Sequence, residues 1–490
     1  MTILFSEIIA NTKLPFVRAE IDTTKANAGT AALQKKVLVV GYKTSAGTAD
    51  LNTVYSVSSV NKAKDLFGGG SLLHNMAQSY FQKPEITDVS FIALTEPSAG
   101  TAATGNIAFS GTATAAGQVN VYIAGRKVTA AVANGDAANA VASAVTSAIN
   151  AKTDLPVTAV VNSGVDTQVD LTVRTKGEFG NKINIRFNYG GETTAAGIAG
   201  TITALTGGAG QADYADLWAA IGDSKYDFIS IADDDATTIA NVKTELDRRV
   251  NANVALEGVC ILGSADSLST VSTFGNAHNN FNLVVCSVAG SPSPSYEIGA
   301  ELTKIVAIEA GKDPARPFQG LTFDFVKVPE LADRLTLSEQ SILLDDGVSV
   351  TKVNADGEVT IQRLVTTYNL DSNNELDLSM SDLNTVLTVY YLKVDFVNYI
   401  SNKYPRNKLA SDGQRVAPGQ AIVTPGIIKG ECLARFAHWE DLGLVEDEAS
   451  FKSTLIVERD ATNKSRVNIE MIPNVINQLR QVAVKLGFVL

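Results

Sequence analysis

The stretch from Val359 to Asp412 decides the fold, and it reads VTIQRLVTTYNLDSNNELDLSMSDLNTVLTVYYLKVDFVNYISNKYPRNKLASD. Apolar and β-branched residues from Val359 to Tyr368 predict a strand. After a polar turn, we expect a helix that starts at Ser379 or Ser381, with Ser381 as its N-cap. Its apolar residues recur at spacings of three and four: Leu383, Val386, Leu387, Tyr390, Tyr391, Val394, Phe396, Val397 and Ile400. The pattern predicts a core helix of about six turns, which Pro405 ends.

Length and composition indicate a multidomain globular protein. The chain has 490 residues, of which 45% are hydrophobic and 19% charged, so two to four domains are expected. The net charge of −12 argues against a nucleic-acid partner, because phosphate binding needs a basic face. Three cysteines form no disulfide framework. Neither a signal peptide nor a membrane span is visible, so we expect synthesis in the cytosol.

Two segments predict one discontinuous α/β core, at residues 35–100 and 208–358. Continuous apolar runs are typical of strands buried on both faces. They occur at 36–42, 89–94, 227–232, 258–263 and 282–289. Helical patterns between or after them, at 72–81, 236–250 and 296–310, favour a largely parallel sheet.

Residues 101–207 predict an inserted, mainly-β domain. Composition shifts there to Ala, Thr, Gly and Val, and glycine-rich segments flank the region. Short strand candidates recur between turn residues, at 106–110, 118–123, 127–131, 157–162, 168–174 and 183–189. One Ala-rich helix is expected over 137–151. We therefore expect a separate small core with closely spaced ends.

Candidate catalytic chemistry is sparse. Asp233, Asp234 and Asp235 follow a strand, where a Mg²⁺ ion could bind, although Asp residues also cap helices, and we favour capping. Gly68–Gly70 match no phosphate-binding motif and favour a turn. Cys260 and Cys286 are expected to be buried thiols of the core rather than metal ligands, because no His or further Cys accompanies them. The three histidines lack a nucleophile motif. We predict no catalytic, cofactor-binding or metal-binding residue, with an α/β metal- or nucleotide-dependent enzyme acting near Asp233–Asp235 as the alternative.

The C-terminal region, residues 359–485, is predicted as a further domain. A helix is expected over 426–442, and strands at 451–458 and 466–472 predict a hairpin spanning 451–472. Pro473 suggests a last helix over 474–485. Residues 486–490 are apolar and predict a short strand. A second isolated strand is predicted near residues 14–21, within an N-terminal arm and flexible linker at 1–34. Such ends favour strand addition between copies.

Sequence motifs along the chain resemble the contractile-tail sheath proteins of Mu-like phages. Besides TTYNLDSNNELDLSMSDLNTVLTVYYLKVDF and KYPRNKLASDG, they are PFVRAEID, VLVVGYKTSAGTA, VAGSPSPSYEIGAE, DPARPFQGL, FKSTLIVERD and VINQLR. The resemblance implies a structural subunit, without catalysis or cofactor, that forms stacked six-membered rings around a tail tube and contracts. Its implied partners are further copies, the tail tube, the baseplate and the tail terminator, and its implied place is the virion tail, after assembly in the host cytoplasm.

The same resemblance implies roles for particular residues. The implied inter-subunit arm strands contain Pro15, Phe16, Val17, Arg18, Ala19 and Glu20 at one end and Phe488, Val489 and Leu490 at the other. Arg480 and Lys485 are implied to face the tube, with the alternative that they complement the negative end of their own helix dipole. The insert is implied to project outward. A surface adhesin is a weaker alternative, since no export signal is visible. A phage tail and a headless contractile bacteriocin stay equally open.

Overall fold

The computed structural model describes residues 35–83, 88–414, 417 and 419–489. Its strands in chain order are β1 (Lys36–Gly41), β2 (Val54–Ser56), β3 (Asp88–Ala93), β4 (Thr104–Gly111), β5 (Gly117–Ile123), β6 (Arg126–Val132), β7 (Val157–Val161), β8 (Gln168–Val173), β9 (Ile185–Phe187), β10 (Ile198–Thr206), β11 (Phe228–Ile231), β12 (Val259–Ser264), β13 (Leu283–Ser287), β14 (Ser349–Val353), β15 (Val359–Arg363), β16 (Lys408–Leu409), β17 (Ile422–Val423), β18 (Val445–Glu446), β19 (Ile456–Arg459), β20 (Val467–Glu470) and β21 (Asn474–Val475).

The α-helices are α1 (Val60–Phe67), α2 (Leu72–Tyr80), α3 (Ala138–Ala151), α4 (Tyr214–Ile221), α5 (Ala236–Val250), α6 (Leu268–Ala277), α7 (Ser295–Lys312), α8 (Leu337–Asp345), α9 (Leu383–Lys403), α10 (Pro425–Asp441) and α11 (Glu448–Thr454). Together with the strands they confirm the predicted mixed α/β class. No helix of the described residues combines the length and the apolar character needed to cross a bilayer.

An eight-stranded sheet forms the centre of the molecule, in the order β15-β14-β13-β12-β11-β1-β3-β2. The six inner strands are parallel, and the outermost strand on each side, β2 or β15, pairs antiparallel with its neighbour. Every residue of β11, β12 and β13 is buried. This explains why those segments are continuous apolar runs, as predicted for strands covered on both faces.

Helix α7 packs across this sheet against β1, β11 and β12. The approach is close because glycine stands at the crossing: a Cβ at Gly263 would lie 2.5 Å from the Cβ of Ile298. Any larger side chain would push α7 away from the sheet. This packing matters below, because α7 carries the buried carboxylate of Glu297 towards the insert.

The insert contains a four-stranded sheet, β10-β4-β8-β7, and a three-stranded sheet, β6-β5-β9. Helix α3 packs on strands of both sheets, and its bounds confirm the helix predicted over 137–151. Thr101 and Ala209 form an antiparallel bridge where the chain enters and leaves the region. The two ends of this region are therefore adjacent, as the sequence predicted for its ends.

Helix α9, the centre of the stretch quoted first, belongs to two hydrophobic cores. Leu383, Val386 and Leu387 near its start lie in the large core of the central sheet. Leu392 lies in a smaller core with Cys432, Phe436, Trp439 and Phe451. This second core joins α9 to α10, α11 and the hairpin of β19 and β20.

Two boundaries in the C-terminal region differ from the sequence predictions. Ser381 is not the N-cap of α9: Asp382 is, with its carboxylate accepting from the Asn384 N–H at 3.2 Å, while the Ser381 carbonyl accepts from the Thr366 N–H. The strand predicted over 451–458 begins only at Ile456, because Asp447 caps helix α11 before it.

The helix predicted over 474–485 is wrong. Asn474 and Val475 form strand β21 against β18, and no regular structure follows as far as Val489. The reason is visible in the spacing, since Val482, Val484, Leu486 and Phe488 alternate with Ala483, Lys485 and Gly487. A period of two is typical of a strand rather than a helix.

Candidate functional site

The three carboxylates after β11 each have a separate structural role. Asp233 is buried and accepts hydrogen bonds from Tyr42 (2.8 Å) and Tyr214 (3.2 Å). Burial raises the pKa of Asp233 to about 7, although the two tyrosine hydrogen bonds lower it. Asp235 caps α5 by accepting from the Thr237 and Thr238 N–H groups, each at 3.0 Å. The prediction that this strand end caps a helix is confirmed for Asp235.

Asp234 makes an ion pair with the insert rather than a metal site. Its carboxylate lies 2.5 Å from Lys182 Nζ, and Asp266 lies 3.1 Å from the same nitrogen. The cavity beside them has a volume of about 60 Å³, far below the roughly 300–1,000 Å³ typical of ligand pockets. Among the described residues, no group of three His, Cys, Asp or Glu side chains is arranged to hold a metal ion. This geometry gives the enzymatic alternative no support.

The other residues singled out from the sequence have structural surroundings. Cys260 and Cys286 are buried on the neighbouring strands β12 and β13, and burial raises the pKa of each thiol to about 12. Gly68 and Gly70 have φ values of 84° and 71°, the left-handed region that favours glycine, so the turn prediction is confirmed. His74 is buried, and burial lowers its pKa to about 4.

A buried ion pair joins the insert to α7. Arg126, at the start of β6, places Nη2 2.7 Å from Oε1 of Glu297, whose side chain is fully buried. The same guanidinium donates to Gln78 Oε1 from Nε (3.1 Å) and from Nη2 (2.5 Å), and it stands over the Phe325 ring at 5.3 Å. Burial raises the pKa of Glu297 to about 7, and Arg126 opposes this. No local pattern in the sequence indicates this contact.

Further contacts hold the insert against the core. Arg186 pairs with Glu330 at 3.1 Å and donates to the Gly290 carbonyl at 2.9 Å. The Tyr189 hydroxyl donates to the Val328 carbonyl at 2.6 Å. The insert is therefore attached to the core by charged and polar contacts as well as through its two chain connections.

The hairpin of β19 and β20 offers two unpaired sheet edges. Ile456–Arg459 pairs only with Val467–Glu470 among the described strands. Val457, Val467 and Ile469 are partly buried against the small core. The outer N–H and C=O groups of both strands are thus free to pair with an added strand.

The C-terminal segment exposes a row of apolar side chains. Val482, Val484, Leu486 and Phe488 are exposed to 72%, 79%, 90% and 82%. In an extended chain these alternating residues lie on one face. Val489 is exposed as well, whereas Leu490 and the predicted N-terminal strand, Pro15 to Glu20, lie outside the described residues. An exposed apolar row of this kind is typical of a surface that a partner covers.

The two cations predicted to face a tube have different surroundings. Arg480 forms an ion pair with Asp382, which also lies 3.4 Å from Arg363 Nη2. Lys485 is exposed. The structure therefore separates two residues that the sequence pattern had grouped on one helix.

Comparison with known proteins identifies similar chains. Residues 207–367 match the family model for the phage tail sheath protein central domain, and residues 375–488 match that for the phage tail sheath C-terminal domain. The Mu-like prophage FluMu tail sheath protein of Haemophilus influenzae is 35% identical over 491 residues, covering 100% of each chain.

Solved structures with lower similarity also align over most of the chain. A sheath tail protein from Desulfitobacterium hafniense has a TM-score of 0.47 at 13% identity, covering 95% of this chain and 100% of that one. A sheath tail protein from Listeria innocua has a TM-score of 0.47 at 11% identity, covering 93% and 95%. A chain of the anti-feeding prophage baseplate has a TM-score of 0.48 at 9% identity, covering 98% and 100%.

Proposed function

The chain belongs to the phage tail sheath protein family and is a structural sheath subunit, and we propose that its copies form stacked six-membered rings around a tail tube. In this proposal the rings contract as a connected mesh and drive the tube through a host envelope. Family membership confirms the resemblance inferred from sequence motifs. The observation that carries the assembly proposal is the exposed, alternating apolar face of residues 482–488.

Strand addition between copies gives that face a partner. The C-terminal segment of one subunit lies along an open edge of the β19–β20 hairpin of a neighbour, and its apolar side chains extend the face that Val457, Val467 and Ile469 turn towards the small core. Backbone hydrogen bonds then link the subunits, while the chain leading to the strand stays free to reorient. A donor and acceptor on different surfaces make a head-to-tail contact, which builds rings or helices rather than closed dimers.

The N-terminal arm completes the proposed mesh. Pro15, Phe16, Val17, Arg18, Ala19 and Glu20 remain its predicted strand, donated to the same small sheet from another neighbour. The insert, residues 101–207, is proposed to face outward. The match to the family model for the tail sheath central domain begins at residue 207, where the insert ends. Lys485 remains the predicted tube contact, whereas Arg480 reaches the tube only by leaving Asp382. The further proposed partners are the baseplate and the tail terminator, with assembly in the host cytoplasm and a final place in the virion tail.

Paired substitutions on the two faces of the segment test the assembly proposal. Val484→Asn with Leu486→Asn is expected to abolish cylinders in negative-stain images of purified protein, because it removes the apolar face. Ala483→Asn with Gly487→Asn is the matched control and is expected to assemble. Cylinders of normal length from the first variant would contradict strand donation by this segment.

Deletion of residues 1–27 tests the other arm. The deleted protein is expected to stay folded by circular dichroism and to stop at small oligomers in sedimentation velocity, because each link of the mesh then lacks one strand. Normal cylinders would show that the N-terminal segment takes no part in assembly.

A further inference from the structure

Residues 476–480 form a strap that holds the C-terminal segment on its own subunit. The strap starts where the Ile476 N–H donates to the Leu444 carbonyl at 3.1 Å. Gln478 Nε2 then donates to the Ala315 carbonyl at 3.3 Å, and Arg480 reaches Asp382 at the N-terminus of α9. For the described residues after Arg480, as far as Val489, the structure shows no hydrogen bond to the subunit. Arg480 is thus the last anchor before the apolar strand.

We propose that the Arg480–Asp382 ion pair is a latch that keeps the C-terminal strand on its own subunit and opens when the strand is donated to a neighbour. This inference rests on the proposed assembly by strand exchange and adds a control step to it. The latch competes with donation, so it restrains polymerisation of free subunits.

The latch can open without leaving a buried charge unpaired. When Arg480 departs, Asp382 keeps Arg363 at 3.4 Å and its cap hydrogen bond from the Asn384 N–H at 3.2 Å. Burial lowers the pKa of Arg480, and Asp382 opposes this, so the guanidinium regains hydration on release. Losing one partner of a buried pair is costly mainly when the other remains unpaired. Here the second arginine removes most of that cost.

Opening the latch changes how far the strand can reach. With Arg480 held, Val482 lies two residues from the anchor, within about 7 Å at roughly 3.3 Å per extended residue. With Arg480 free, the next anchor is Gln478, and four residues extend to about 13 Å. Opening the latch therefore adds about 7 Å to the reach of the strand. This extra length helps a subunit to place its strand on a separate molecule.

Arg480→Gln tests the latch, and Lys485→Gln is the matched control, because it removes a neighbouring charge that the latch does not use. A nitroxide on Val482→Cys reports the motion of the strand in monomers, since the three native thiols are buried. Arg480→Gln is expected to increase nitroxide mobility in electron paramagnetic resonance spectra, and Lys485→Gln to leave it unchanged.

Polymerisation of the unlabelled variants gives the second measurement. Arg480→Gln is expected to lower the critical concentration for cylinders roughly tenfold, which corresponds to about 1.4 kcal/mol. Unchanged mobility overturns the latch, and so does an equal or higher critical concentration, because Arg480 would then be neutral in assembly or part of the assembled contact. If the parent itself fails to polymerise, the proposed function fails, and the mobility of the monomer alone decides whether the latch exists.

Discussion

Replacing Arg126 with methionine is the sharpest perturbation of the contact between insert and core. The substitution keeps much of the apolar length of the side chain and removes the charge that faces Glu297, whose side chain is fully buried. Breaking a buried ion pair by removing one partner costs about 3–5 kcal/mol, because the remaining charge is left without compensation. We expect a loss at the lower end of this range, about 3 kcal/mol, in the free energy of unfolding at pH 8.5, because Glu297, with a pKa of about 7, can take up a proton at about 1.4 kcal/mol per pH unit instead of remaining charged.

The same substitution is expected to cost less at low pH. The pKa of Glu297 is about 7 in the folded protein, so at pH 5.5 the carboxyl group is neutral and Arg126 has no charge to compensate. The remaining loss, about 1 kcal/mol, comes from the hydrogen bonds to Gln78. The cost of Arg126→Met should therefore rise as the pH passes through about 7.

Urea unfolding at 25 °C, followed by circular dichroism, measures this difference. With an m-value of about 3 kcal/mol/M or more for a chain of this size, the midpoint should fall by on the order of 1 M at pH 8.5. Adding Glu297→Gln should restore most of the loss, since no charge is then buried. Lys127→Met, on the next residue of β6 and 41% exposed, is the control and should change stability by less than about 1 kcal/mol. Equal losses from Arg126→Met at both pH values would refute the reasoning.

Three further predictions concern other parts of the molecule. Burial raises the pKa values of Asp233, Glu297 and Glu301 to about 7, so between about pH 4 and 7 the folded state holds protons that the unfolded state has released. The urea midpoint should therefore fall as the pH rises from 5.5 to 8, despite the opposing effect of His74. A midpoint that rises over this range would contradict the prediction. Replacing residues 101–206 with a short Gly/Ser linker should yield more folded protein with Glu297→Gln than without it, because excision removes Arg126; equal yields would show that Glu297 does not limit the excised core. Lys485→Glu should reduce assembly of extended sheath on tail tubes at low salt while tube-free cylinders still form, as judged by electron microscopy, because screening weakens exposed charge pairs; unchanged assembly on tubes would show that Lys485 does not face them.

Much of the fold could be predicted because the central sheet leaves a strong local pattern. Strands such as β11 and β12 are covered on both faces, so nearly every position must be apolar, and the pattern is short and continuous. Helix α5 combines a regular apolar face with Asp235 directly before it. Both signals are local in the chain, and the structure confirms them.

The contacts that organise the site were not predictable in the same way. Arg126 and Glu297 lie on different elements far apart in sequence, and neither residue type indicates its partner. Arg480 and Asp382 are 98 residues apart, and their pairing is likewise not indicated by any local sequence pattern. At the C-terminus, Val475, Leu479 and Val482 fit a helical spacing, while Val482, Val484 and Leu486 fit a strand. The pairing of β21 with β18 decides between these patterns, and this pairing is tertiary information.

The sharing of α9 between two cores has a mechanical consequence. A helix of 21 residues is about 32 Å long at 1.5 Å per residue, and here its first part is embedded in the large core and its later part in the small one. A torque applied to the hairpin region is therefore transmitted along one continuous rod to the central sheet. Relative rotation of the two cores would require bending this rod or unpacking one of its ends. The subunit should move as a single lever, and deformation during the proposed contraction should be confined to the connections between levers.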